Sequence, residues 1–396
     1  MGDGMEPRSP AAARRYRVTH VITRLELGGA QQNTLFCTEH HDRTRIEPEL
    51  LAGRGGYLDD EALAINDARV ELVDYLRHTV SPWHDARAVV RLARHFRRRG
   101  VDLVHTHSSK AGIVGRWAAA LARVPRVVHT VHGWSFNPTQ SASERSLYRT
   151  LERVAARMTD RLVVVAEADR EKGLRAGIGR PEQYALVRSG IDLGAFARPV
   201  RSRDAVRREL GAGPDTLLVG TLSCLKPQKA PGDFVRAAAQ ARALDGRVRF
   251  VLAGDGDLRA ETERLVRTLG ASDVVSLLGW RRDVVDLLHA FDVFLLTSRF
   301  EGLPRAVLQA MAAGVPVVAT AVDGTAEIVQ HERTGLLVPP NDAPAAARAV
   351  LRMASDADLR RRLVEAARTR LGHEFDVREM VAAIDRLYLD LLEGAR

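Results

Sequence analysis

Cysteine is scarce in this chain: Cys37 and Cys224 are the two in 396 residues, and they stand far apart. That excludes a disulfide scaffold and points to a reducing compartment, the cytoplasm. Apolar runs are short, and none approaches the ~20 residues that cross a bilayer. The opening stretch MGDGMEPRSPAAARR lacks the apolar core of a secretory signal and reads as a disordered tail over residues 1–15. Gly2 would suit myristoylation, but Glu6 stands where that motif wants Ser or Thr. Aromatic residues make up 5% and are not interleaved with the arginines, which argues against nucleic-acid binding despite a net charge of +9. No GxSxG element, P-loop, HExxH or paired-cysteine motif is present, so hydrolase, kinase and zinc-site readings lack support.

What remains is the composition of a globular protein, 45% hydrophobic and 28% charged, in a chain long enough to divide into two domains. The charge is uneven. Residues 1–195 hold 30 Lys+Arg against 23 Asp+Glu, and the remainder holds 29 against 27. A basic first half suits an anionic partner.

Short β-branched runs alternate with amphipathic stretches. In the first half the predicted strands are Arg17–Thr23, Glu49–Ala52, Val70–Val73, Asp102–His105, Arg126–Val131, Arg161–Val165 and Tyr184–Val187. The second half restarts the pattern at Leu217–Leu222, Arg249–Ala253, Val274–Leu277, Val293–Leu296 and Val315–Ala319. Strand–helix alternation predicts parallel sheets covered on both faces. Two series predict an α/β protein of two Rossmann-like domains, residues 16–195 and 205–375, meeting across a cleft. Residues 376–396 are expected to form a helix that returns to the first domain. The clearest helix is Pro82–Arg99, with Val89, Val90, Ala93 and Phe96 on one face and Arg87, Arg91, Arg94 and Arg98 on the other. Those arginines are either a solvated face or a contact for an anionic membrane.

The segment SRFEGLPRAVLQAMAAGVPVVAT, residues 298–320, is the most informative. It reads as a loop entering a helix, with Pro304 suited to the first turn. Glu301 then precedes a helix N-terminus, where free amides attract anions. Read alone, Glu301 is slightly better explained as an ordinary N-terminal capping acid.

This segment resembles the signature of the family 4 glycosyltransferases: Glu, seven residues, Glu, then Ala-Met-Ala-x-Gly-x-Pro-Val. Ordered matches extend along nearly the whole chain: Gly28-Gly29-Ala30, HTHSSKAGIVGR at 105–116, HTVHGWSF at 129–136, SGID at 189–192, LKPQKAP at 225–231, GDG at 254–256, DGTAEIV at 323–329 and TGLLVPP at 334–340. The resemblance implies the GT-B fold and a metal-independent, configuration-retaining sugar transfer from a nucleotide-sugar donor, with no cofactor. UDP is the first expectation for the nucleotide and GDP the second. It implies that Glu301 contacts donor-sugar hydroxyls, that Lys229 neutralises the pyrophosphate, and that His132 lies against the transferred sugar. Gly28, Gly29, Lys226, Gly256, Gly302, Leu303 and Gln309 complete the donor set. His107, Ser109 and Lys110 are the acceptor-side candidates; the acceptor itself is expected to be lipid-linked, a glycan or a small molecule, the lipid-linked case at the inner membrane face suiting similar enzymes. His105 and His129 are expected as packed core residues rather than metal ligands.

Two positions depart from the family pattern. Gln309 stands where relatives carry Glu, and it loses the stronger charge-assisted bond to ribose. Cys224 stands where Arg is common, with Lys226 as its substitute. The rival readings are a nucleotide-sugar epimerase of the same fold, a basic nucleic-acid-binding protein, and a sugar-binding protein that has lost catalysis.

Overall fold

The computed structural model describes residues 14–394, so the tail expected at residues 1–15 lies outside it except for Arg14 and Arg15. Two parallel sheets form the frame. The first contains β1 (Tyr16–Ile22), β2 (Ile46–Gly53), β3 (Arg69–Val73), β4 (Leu103–His107), β5 (Arg126–Val131), β6 (Arg161–Val164) and β7 (Tyr184–Leu186), in the order β3-β2-β1-β4-β5-β6-β7. The second contains β8 (Leu217–Leu222), β9 (Val248–Ala253), β10 (Val275–Gly279), β11 (Val293–Leu296), β12 (Val317–Thr320) and β13 (Leu336–Val338), in the order β10-β9-β8-β11-β12-β13. Every strand pair is parallel. Helices cover both faces, so central strands read as continuous apolar runs. All four residues of β11 are buried, and helix Arg305–Ala312 packs Val307, Leu308 and Met311 into the same core region as Phe294 and Leu296.

The strand orders place the functional cleft. In each sheet the order reverses once, between β1 and β4 and between β8 and β11. Loops leaving the carboxyl ends of those strands diverge and leave a crevice. In the first domain they carry Gly28–Gly29 and His107–Ser109. In the second they carry Lys226–Lys229 and Ser298–Leu303.

Four features differ from the sequence-based expectation. Strand β13 was not foreseen, because three residues are too few to show a period. Strand β4 runs on to His107, beyond the expected end at His105. Helix Arg203–Glu209, between the two strand series, was not foreseen; it buries Val206, and just before it Asp286 accepts the amides of Val200 (2.7 Å) and Arg201 (3.1 Å). On helix Pro82–Arg99 the buried residues are Ala88, Leu92, Ala93, His95 and Phe96, while Val90 faces solvent.

The last helix, Val377–Glu393, lies against the first sheet. The chain crosses between the domains beside Ile191, which exchanges backbone bonds with Phe375 (2.9 Å) and Val377 (3.0 Å). Gly190 is needed there, since a Cβ would lie 2.4 Å from Val377 Cα. Ile384 and Tyr388 of this helix then join Val18, Ile46, Leu103, Val128 and Val163 in one apolar cluster.

Candidate active site

A cavity of about 540 Å³ lies between the domains, lined by residues of both. The second domain supplies its charged floor. After β11 the chain turns through Ser298 to Glu301, whose carboxylate is buried at 5% exposure. Oε1 of Glu301 accepts from Lys229 Nζ at 2.5 Å and from Ser298 Oγ at 2.6 Å, and Oε2 accepts from Gln228 Nε2 at 3.3 Å. The Glu301 amide donates to Asp323 Oδ2 at 3.0 Å, which holds the loop in place. Glu301 is therefore not a helix cap. Helix Arg305–Ala312 begins at Pro304 with no side-chain cap; the Val307 amide turns back to Pro304 O at 3.0 Å, and the amides of Arg305 and Ala306 have no partner among the described residues, leaving them for a ligand.

A second uncapped helix N-terminus faces it. Helix Gly29–His40 starts after Gly28 with no side-chain cap and no acidic residue in its first turn. Gly28, Gly29 and Ala30 line the cavity. Two partial positive helix ends thus meet at one cleft, each with exposed donors. Arg305 lies between them, donating from Nη1 to Gln32 Oε1 at 2.7 Å and to Gly29 O at 3.4 Å. Burial lowers its pKa to about 10, still cationic at neutral pH. Gly29 has little room for a side chain, since a Cβ would sit 3.2 Å from Arg305 Cδ.

Lys226 spans the cleft to Glu26 at 2.8 Å. Burial opposes its charge, but the Glu26 carboxylate outweighs burial and raises the lysine pKa. Cys224 points its Sγ at Leu27 O, 3.2 Å away. At the far end of the cavity Tyr57 and Trp280 make an aromatic wall, with ring centroids 5.9 Å apart. Arg282 lies 5.5 Å from the Tyr57 ring and pairs with Glu61 at 2.7 Å.

His132 comes from the turn after β5. Burial, followed by the charge of Arg305, lowers its pKa to about 4, so the ring is neutral near pH 7. Its backbone meets the second domain closely: a Cβ at Gly302 would lie 2.7 Å from His132 O. The cleft therefore offers the cationic side chains of Lys226, Lys229, Arg281, Arg282 and Arg305, two helix N-termini, a buried carboxylate and a neutral imidazole. That set can bind a diphosphate at one end and polyhydroxyl groups beside it.

Comparison with known proteins agrees with this geometry. A glycosyl transferase 4-like domain model matches residues 10–190, and a glycosyl transferases group 1 model matches residues 202–370. The chain is 32% identical over 384 residues to the Escherichia coli UDP-Gal:alpha-D-GlcNAc-diphosphoundecaprenol alpha-1,3-galactosyltransferase, covering 95% of this chain and 97% of that one. The chain is a family 4 glycosyltransferase. A Streptomyces bingchenggensis D-inositol 3-phosphate glycosyltransferase is 30% identical over 74% of this chain and 68% of its own. Among solved structures, Anabaena HepE in complex with UDP and glucose superposes with a TM-score of 0.82 at 22% identity, covering 94% of this chain and 99% of that one. Sucrose-phosphate synthase from Thermosynechococcus elongatus gives 0.83 at 23%, over 96% and 100%. These two likenesses establish the GT-B fold.

Within this glycosyltransferase fold, the predicted site residues separate into two groups. Gly28, Gly29, His132, Lys226, Lys229, Glu301, Gly302, Leu303 and Gln309 all line the cavity. Gln309 reaches it because the loop before the helix folds back, although eight positions separate it from Glu301. Gly256, His107, Ser109 and Lys110 are not among the lining residues. Gly256 serves a turn: its φ is +153°, and a Cβ would sit 2.8 Å from Leu225 O. Asp255 accepts the Gly256 amide at 2.8 Å and pairs with Arg259 at 3.0 Å, so its carboxylate has local partners. Lys110 is tied to Asp85 at 2.7 Å. His107 is buried behind His132. Sequence reasoning missed Arg305, Tyr57, Trp280 and Arg282. The position of Arg305 in the first helical turn after Pro304 was the one available signal.

Proposed function

We propose that this glycosyltransferase moves a hexose from a UDP-sugar to a lipid-linked acceptor, with retention of configuration and without a metal, at the cytoplasmic face of the membrane. The observation that carries the reading is the Glu301–Lys229 pair, set between two uncapped helix N-termini in the interdomain cavity. Breaking the donor's anomeric C–O bond leaves positive character on the sugar and negative charge on the departing diphosphate. Lys229, Arg305 and the free amides of both helices stabilise that diphosphate. Glu301 orients sugar hydroxyls while holding Lys229 in place. The acceptor hydroxyl attacks from the face the phosphate leaves, its oxygen bonds to the anomeric carbon, and its proton passes to the departing diphosphate. Gln309 binds the ribose, and the Tyr57–Trp280 wall flanks the base.

The lipid-linked acceptor is supported by the Escherichia coli relative, whose name specifies GlcNAc-diphosphoundecaprenol. It is also supported by the surface. Among the described residues no helix is long and apolar enough to cross a membrane. Helix Pro82–Arg99 presents Trp83 at 82% exposure, together with the exposed Arg87, Arg91, Arg94 and Arg98. The adjoining helix Ser109–Ala122 presents Trp117 and Leu121. Tryptophan favours the headgroup level, and each arginine near an anionic surface adds roughly 1 kcal/mol.

A thermal-shift screen against UDP-, GDP- and ADP-hexoses tests the donor reading. A ligand that binds only the folded state raises the melting temperature. UDP-hexoses are expected to shift it, and no shift with any of the three would sink the proposal.

A further inference from the structure

Behind His132 lies a line of buried histidines that the donor cavity does not use. His132 Nε2 is 3.4 Å from His107 Nδ1. His107 Nε2 is 2.9 Å from His20 Nδ1, and His20 Nε2 is 2.8 Å from His41 Nε2. His41 Nδ1 meets Asp385 Oδ1 on the last helix. The other oxygen, Oδ2, accepts the amide of Asp42 at 2.9 Å. Five side chains from β1, β4, the loops after β5 and helix Gly29–His40, and the C-terminal helix thus join end to end across the first domain.

The chemistry of the terminal group orders the rest. A carboxylate only accepts, so His41 donates from Nδ1. With one proton per ring, His41 Nε2 then accepts from His20 Nε2–H, His20 Nδ1 accepts from His107 Nε2–H, and His107 Nδ1 accepts from His132 Nε2–H. Burial holds His20 and His107 well below the ordinary histidine pKa, which keeps those rings neutral. We infer that Asp385 is a positioning residue, setting through His41, His20 and His107 the tautomer of His132, so that His132 presents an unprotonated Nδ1 as a hydrogen-bond acceptor for a sugar hydroxyl. This rests on the reading of His132 as a group beside the transferred sugar.

A metal centre is the competing use of this cluster, because nitrogens of His20, His105 and His107 lie within 4.8 Å of one another. The geometry favours hydrogen bonds. Two nitrogens held at 2.0–2.1 Å by a tetrahedral zinc stand about 3.3 Å apart, whereas His20 Nδ1 and His107 Nε2 are 2.9 Å apart. Both nitrogens of His105 are also taken, Nε2 by Thr130 Oγ1 at 2.7 Å and Nδ1 by the Tyr388 hydroxyl.

The test is long-range ¹H–¹⁵N correlation on the full chain labelled with ¹⁵N-histidine, with His132 assigned by its loss in His132→Gln. Wild type is expected to carry the His132 proton on Nε2. Asp385→Asn should reverse it. The Asp42 amide can only donate, so the asparagine oxygen stays on it and the asparagine NH₂ turns to His41. His41 Nδ1 must then accept, and every bond of the chain inverts until the proton sits on His132 Nδ1. His41→Gln, which cuts the chain far from the cleft, should leave His132 in a mixture of tautomers. In sugar-transfer assays Asp385→Asn should lower kcat roughly tenfold, the loss of about one hydrogen bond, with UDP affinity within about twofold of wild type. A wild-type proton on Nδ1, an unchanged tautomer in folded Asp385→Asn, or stoichiometric uptake of Zn²⁺ that shifts the His20 and His107 nitrogens would overturn the inference. The spectra are taken on the free protein, so failure of the donor reading would appear separately, as absent UDP binding.

Discussion

Lys229 and Glu301 hold each other at 2.5 Å but are not equally placed: the glutamate side chain is 5% exposed and the lysine 21%. That asymmetry predicts unequal single-mutant effects. In Lys229→Met the Glu301 carboxylate keeps Ser298 and Gln228 as donors but loses the one cation paired with it among the described residues. Stranding a buried charge costs about 3 kcal/mol, at the low end of the range for broken buried pairs because water reaches the lysine's end. In Glu301→Gln the lysine can turn into the cleft and hydrate, so the cost should stay near 1 kcal/mol. For a domain of this size 1 kcal/mol corresponds to about 2–4 °C. The second domain of Lys229→Met should therefore melt about 6–12 °C lower and that of Glu301→Gln about 2–4 °C lower, while the double mutant should regain most of the loss. Activity should not follow stability. Removing a fixed charge from a developing diphosphate costs roughly 10²–10³ in kcat, and both the Lys229→Met and the double mutant should show it. Differential scanning calorimetry and UDP-release assays on the four proteins make the comparison. Equal destabilisation by both single changes would mean that the two charges are equally buried in energetic terms, and a double mutant with near wild-type turnover would mean that Lys229 does not stabilise the departing diphosphate.

Gln309→Glu should keep kcat within about threefold and lower the donor KM by about fivefold, since a carboxylate bonds a ribose hydroxyl more strongly than an amide does; steady-state kinetics read both. Gly302→Ala places a Cβ 2.7 Å from His132 O, which pushes the domains apart by a fraction of an ångström to an ångström. Displacement on that scale costs on the order of 10² in kcat/KM, and the melting temperature should barely move. Acid should unfold the protein early. His20, His105, His107, His129 and His132 all have lowered pKa values, chiefly through burial. Between pH 6.5 and about 4 the unfolded chain therefore binds more protons at these sites than the folded one, and stability falls with pH. Asp169 acts in the opposite sense, since burial raises its pKa to about 8 and the folded state holds its proton there. The net uptake near pH 5.5 should be about four protons on unfolding, or about 5 kcal/mol per pH unit; melting temperatures measured between pH 5 and 7 give the number.

Much of the frame was readable because parallel strands buried on both faces leave unmistakable apolar runs. Val293–Leu296 and Leu217–Leu222 are examples that match the observed strands. Glu301 and Lys229 could be singled out because each sits in an ordered motif. Their mutual contact could not, because 72 residues separate them and only the strand order brings them together. The histidine line is a stronger case. His41 and Asp385 are 344 residues apart, and His20 in the middle of β1 looks like an ordinary core position. Val90 misled for a local reason: an apolar residue on the rim of a helix stripe faces solvent when the neighbouring helix covers a narrower face than its sequence pattern allows. The aromatic wall was invisible because Tyr57 and Trp280 come from different domains.

Transfer of a sugar from a nucleotide donor with retained configuration is the activity proposed for this cleft. The most direct measurement is proton NMR of the product formed from UDP-galactose, or from whichever UDP-hexose gives the largest thermal shift, and a polyprenyl diphosphate-linked N-acetylglucosamine acceptor. The expected product carries a new glycosidic bond with the same anomeric configuration as the donor, formed in step with UDP release and lost in Glu301→Ala. An inverted linkage would contradict the same-face mechanism. Epimerised sugar without an acceptor, or no turnover with any UDP-hexose, would contradict the claim of transfer itself.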